Sequence, residues 1–143
     1  MAQVDKYNVL TIDQLKKGVD QIMKNLKNPA DFKMSILECI ETTYAYDKRP
    51  QVRLDGDKYY CAIVVKLYQE KLKYGNDYKI KSGFDASHFY CHNEHCVNHE
   101  HIHFEDHRVN KSRLCCRIYG MNNGYGCPHL PRCNINELTR IKL

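Results

Sequence analysis

Between Leu10 and Leu26 the apolar positions Leu10, Leu15, Val19, Ile22, Met23 and Leu26 recur at spacings near three and four. That is the period of a helix burying one stripe. Thr11 stands where an N-cap is needed, Asp13 falls in the first turn, and Asn28-Pro29 ends the helix. A second apolar segment, Met34 to Ile40, contains Cys39, and Lys48-Arg49-Pro50 breaks the chain after it. Gln51 to Leu54 reads as a strand, and Asp55-Gly56-Asp57 is a hairpin turn signal. Lys58 to Val65, rich in Tyr, Ile and Val, is either the return strand or a strand that gives way to a helix running through Leu67 and Leu72 towards Tyr74. Periodicity alone leaves both open. Gly75-Asn76-Asp77 and Ser82-Gly83 mark loops.

The 143 residues suit one domain of modest core. It divides into a helical part over 1–48, a strand and helix region over 49–86, and a Cys/His region over 87–133. With no Trp, four Phe and eleven Tyr, the apolar core is thin and calls for stapling. The net charge of +5 mildly favours a polyanionic partner. No apolar run of membrane-spanning length is present, and Met1 to Leu10 has no secretory apolar stretch. The expected setting is therefore intracellular, nuclear or cytoplasmic, with no membrane partner. There, cysteines are reduced, and eight Cys beside eight His read as metal ligands before disulfides.

The metal-binding residues are concentrated. All eight histidines and six of the eight cysteines lie between His88 and Cys133. Cys91, Cys96 and His101 form one closely spaced set that needs a fourth donor, for which Cys39 and Cys61 compete. Cys116, Cys127, His129 and Cys133 form a second set, with Cys115 as a rival for its first position. Pro128 and Pro131 stiffen its closing loop. Thiolate and imidazole are the donors of closed tetrahedral zinc sites, and such sites hold folds together without being reaction centres.

Zinc leaves three features unexplained: Ser87-His88 before the first set, Asn110 after it, and Arg53 on the upstream strand. They supply a base, an oxygen ligand for a hard cation, and a cation for a phosphate. Taken in order, Ser87-His88, Cys91-His92-Asn93, Cys96, Asn98, His101, Glu105, Asn110-Lys111, Arg113, Cys116, Cys127, His129 and Cys133 resemble the His-Cys box homing endonucleases. These are part of the wider His-Me finger, or ββα-metal, nucleases. Two residues separate His88 from Cys91 where the family pattern has one.

The resemblance implies a small α+β, zinc-stabilised domain with a ββα-metal motif, an antiparallel hairpin and an N-terminal helix. It implies two structural Zn²⁺, one on Cys39, Cys91, Cys96 and His101 and one on Cys116, Cys127, His129 and Cys133. Cys61 is the fallback for Cys39. His88 would be the general base, Asn110 the protein ligand of one catalytic Mg²⁺, and Arg53 the phosphate-stabilising cation. The implied activity is Mg²⁺-dependent hydrolysis of DNA phosphodiesters, double-stranded DNA foremost, leaving 5′-phosphate and 3′-hydroxyl ends. A monomer and a homodimer are both compatible. Arg108, Lys111, Arg113, Arg117, Lys79 and Lys81 are candidate phosphate contacts, and the Gln51 to Leu54 ribbon is a candidate for the major groove. The rival functions are a non-catalytic zinc module that binds nucleic acid and a zinc-folded protein-interaction domain.

Overall fold

A computed structural model of the chain describes residues 4–28, 38–44, 48–114, 129, 131 and 133. It begins with a short helix, α1 (Val4–Asn8), that the apolar spacing did not announce. Its Tyr7 is buried, and the Asn8 side chain holds the backbone of Ile80 at both its N–H and its carbonyl. Helix α2 (Ile12–Met23) starts at Thr11 as expected. The Thr11 hydroxyl accepts from Gln14 N–H while the Gln14 side chain returns to Thr11 N–H, a reciprocal cap.

The end of α2 differs from the sequence expectation. The helix stops at Met23, capped by Lys24, well short of Asn28-Pro29. Leu26 is buried, but as an extended residue bridged antiparallel to Thr42. Lys27 N–H donates to Glu41 O and Thr43 N–H to Asn25 O. Pairing with a segment distant in sequence therefore replaces the last helical turn. This places residues 38–42, and with them Cys39, beside the rest of the molecule.

Strands β1 (Gln51–Leu54) and β2 (Asp57–Tyr60) form the expected hairpin, with Leu54 opposite Asp57. Asp55 and Gly56 both take positive φ, the conformation that a tight two-residue hairpin turn demands. Val52 and Leu54 face inward, while Gln51 and Arg53 face outward. The open choice at Lys58 to Val65 resolves as a strand that gives way at once to α3 (Cys61–Tyr74). Helix α3 crosses the centre of the molecule, with Cys61, Val64, Val65 and Leu67 buried against Leu15, Ile22 and Val52. Burying one such aliphatic side chain contributes roughly 1.5–3 kcal/mol.

The remaining elements carry the histidine-rich region. Strand β3 (Phe84–Ser87) pairs antiparallel with β4 (His103–Asp106), registering Asp85 with Glu105 and Ser87 with His103. The loop between them holds Cys91, Cys96 and His101, the last in a short 3-10 turn. Helix α4 (His107–Ser112) follows β4 directly and starts at Asp106, whose carboxylate accepts from Arg108 N–H. The chain is thus a small mixed α/β fold of two antiparallel hairpins and helices, the second hairpin and α4 forming a β-β-α unit around a Cys/His loop. Among the described residues no helix is long and apolar enough to cross a membrane.

Candidate metal centre and active site

Cys39, Cys91, Cys96 and His101 converge, with one ligand atom from each lying within 4.8 Å of the others. His101 Nδ1 is 3.4 Å from Cys96 Sγ and 3.9 Å from Cys39 Sγ. Cys96 and His101 are buried, and the Tyr90 ring stacks on the imidazole at 4.4 Å. Of the two competitors for the fourth position, Cys39 joins the cluster. Cys61 sits at the start of α3 in the apolar core, where burial pushes its thiol up to about 12.

Local hydrogen bonds explain how the distant Cys39 reaches the loop. Val97 N–H donates to Ile40 O at 2.7 Å, and the Asn98 carboxamide donates to Glu38 O at 2.9 Å. Asn98, buried, also accepts from Glu100 N–H and so starts the turn that presents His101. Asn93 donates to Glu41 Oε2 and accepts from His95 N–H. The sequence carried both asparagines inside the motif but gave them no role. Their task is to sew the loop to residues 38–41.

The donor set fits zinc. Three sulfurs and one imidazole are the soft and borderline ligands of a closed tetrahedral site. Hydrogen bonds from Cys91 and Cys96 hold Cys39 well down on the thiolate side, while Cys91, bonded to Cys39, is held well up on the thiol side. Concentrated negative charge with shared protons is what a divalent cation relieves by displacing protons. This is a zinc-binding Cys₃His cluster.

The second expected set is described only in part, because Cys116 and Cys127, like Cys115 and Arg117, lie outside the described residues. His129 Nδ1 and Cys133 Sγ face each other at 3.5 Å. Arg113 ties them to the β-β-α unit: it donates to Cys133 Sγ and Pro131 O, and forks onto both carboxylate oxygens of Glu105 at 2.6 and 2.7 Å. With Arg113 and Glu105 both buried, Arg113 is removed from the expected phosphate contacts. Its charge is already spent inside the protein. Ser112 Oγ lies 2.8 Å from His129 Nε2 and links the same loop to α4.

A cavity of about 410 Å³ opens on the β-β-α unit, and both His88 and Asn110 line it. His88, at the end of β3, points Nε2 at Cys96 O, 3.1 Å away. A carbonyl accepts only, so Nε2 carries the proton and Nδ1 keeps the lone pair. Burial pushes the imidazole down to about 4, leaving it neutral at pH 7. Asn110 sits on α4, its carboxamide donating to Asp85 Oδ2 at 3.2 Å. The same oxygen pairs with His107 Nδ1.

Arg53, expected at the phosphate, is not among the residues lining this cavity. Strand alternation turns it to the exposed face, where its Nη1 donates to Gly56 O within the hairpin turn. Two arginines do line it: Arg113, already paired with Glu105, and Arg49, held 3.4 Å from Glu94, which lines the cavity too. The sequence signal for Arg49 was the Lys48-Arg49-Pro50 break, which reads as a loop and gives no direction. Lys111 also lines the cavity, whereas Arg108 projects into solvent.

The family model for the zinc-binding loop region of homing endonuclease matches residues 39–142. No curated protein matches the chain, and no solved structure does.

Proposed function

This chain belongs to the His-Cys box homing endonuclease family, and from that premise we propose that it is a Mg²⁺-dependent endonuclease that hydrolyses double-stranded DNA with His88 as general base. The observation that carries this reading is the shared cavity. His88, directly after β3, and Asn110 from α4 line one cavity.

In this mechanism His88 Nδ1 accepts a proton from the attacking water, while Cys96 O keeps the other ring nitrogen protonated. The fully neutral resting imidazole is ready to accept. Asn110 would hold the cation through its carboxamide oxygen, and a Mg²⁺ held there would supply positive charge to the phosphate and leaving oxygens. In-line attack by water leaves 5′-phosphate and 3′-hydroxyl ends. Arg49 takes the phosphate-facing place assigned to Arg53 from sequence, its guanidinium leaving Glu94 for the more closely matched anion. Arg53, Gln51 and the cross-strand neighbour Lys58 extend a basic outer face that suits the duplex backbone. The second metal-ligand set, Cys116, Cys127, His129 and Cys133, holds another zinc.

Plasmid nicking tests this directly. With Mg²⁺ present, His88→Ala and Asn110→Ala each lower the nicking rate by about 10²–10⁴-fold, at unchanged zinc content. Arg49→Ala costs more than Arg53→Ala. Equal activity in wild type, His88→Ala and Asn110→Ala returns the protein to a non-catalytic zinc module. The absence of salt-dependent DNA affinity returns it to a protein-interaction domain.

A further inference from the structure

Asp85 has no part in the mechanism above, yet it lines the cavity shared by His88 and Asn110. One of its oxygens, Oδ2, receives both His107 Nδ1 and the Asn110 carboxamide. Its side chain is 14% exposed. Two positions on, along the same face of β3, Ser87 Oγ is buried and has no hydrogen-bond partner among the described residues. Both residues line the same cavity. Three different side chains, from β3 and α4, thus meet at Asp85 Oδ2.

We propose that Asp85, His107 and Asn110 together form the divalent-cation site, so that the cation is held by a carboxylate and an imidazole as well as by the amide. The inference rests on the nuclease reading and deepens it. A site made of one neutral amide offers a dication no compensating protein charge. Mg²⁺ is ordinarily held by one or two carboxylates with waters and phosphate oxygens completing the shell. Two N–H groups lie on Asp85 Oδ2. Turning the Asn110 amide over brings its oxygen to that point. The Nε2–H tautomer of His107 brings a nitrogen lone pair there. A shell of two oxygens and one imidazole nitrogen accepts Mn²⁺ and Co²⁺ beside Mg²⁺.

The probe is Mn²⁺, titrated into the zinc-loaded full chain and followed by loss of the free-ion electron paramagnetic resonance signal. Wild type is expected to bind one Mn²⁺ beyond its zinc, and Asp85→Asn to weaken that binding by about tenfold or more at unchanged zinc content and circular dichroism. A second measurement needs no variant: bound Mn²⁺ broadens the His107 ring and Asp85 carboxylate resonances of selectively ¹³C-labelled protein. Mn²⁺ held as tightly by Asp85→Asn as by wild type, but lost in Asn110→Ala, overturns the proposal and leaves the amide-held cation standing. Absent broadening of both resonances overturns it as well. Tight, Asp85-dependent Mn²⁺ binding without DNA nicking by any cation sinks the nuclease reading and keeps the site.

Discussion

At the scale of single residues, context decides what a charged side chain does. Arg113 stands three positions after Asn110 in a basic run, which in sequence looks like solvated surface. Its partner Glu105 lies eight positions earlier, and the two face each other only because β4 turns directly into α4. Both side chains are almost fully enclosed, at 3% and 6% exposure. Glu105→Gln therefore leaves the buried guanidinium without its carboxylate and should cost about 3–5 kcal/mol in urea unfolding, whereas replacing both partners by apolar residues should recover much of the loss. Tyr7 gives a second case. Its hydroxyl accepts from Tyr60 N–H at 2.9 Å, and burial pushes its ionisation up to about 12. The unfolded chain ionises this tyrosine near pH 10. Between pH 10 and about 12 the unfolded state thus binds fewer protons, and stability falls as pH rises through that window. Tyr7→Phe should cost about 1 kcal/mol at pH 7, with the deficit shrinking at pH 11 in paired denaturant titrations.

At the scale of elements, local chemistry was legible wherever it was self-contained. The Thr11 cap, the hairpin turn at Asp55-Gly56 and the outward face of Arg53's strand all follow from residues within a few positions of one another. The end of α2 was not legible, because Leu26 keeps the helical apolar spacing while its backbone is claimed by Thr42. The placement of Cys39 was within reach only through the family resemblance, since the hydrogen bonds that bring it to the loop come from Asn98 and Val97. The direction of Arg49 was beyond reach, because a loop residue carries no periodicity. Packing of α2 on its neighbours depends on Gly18. A Cβ there would stand 3.0 Å from Val64 Cγ1 and 3.2 Å from Leu54 Cδ1. Gly18→Val should therefore destabilise by about 1–3 kcal/mol in thermal unfolding, despite removing a helical glycine. Lys17→Val on the exposed face should cost less.

At the scale of the molecule, the Cys₃His cluster joins the residues after α2 to the loop inside the β-β-α unit. Chelation should therefore loosen both ends of that connection. After treatment with a zinc chelator, thiol labelling read by mass spectrometry should reach the exposed Cys39 and the half-buried Cys91 first. Cys61, buried and with its thiol held up near 12, should stay unlabelled until the chain unfolds globally. Equal labelling of Cys39 before and after chelation would show that no metal sits there.

The 62 positions between Cys39 and His101 also set a timetable. A ribosome adding roughly 5–20 residues per second needs roughly 3–12 seconds to cross that interval. Helices and hairpins form in microseconds. The early helices and the first hairpin can thus take shape while Cys39 still waits for the thiols and imidazole that will share its metal. Ion capture then waits until His101 has been made, and falls upon a nascent scaffold already built.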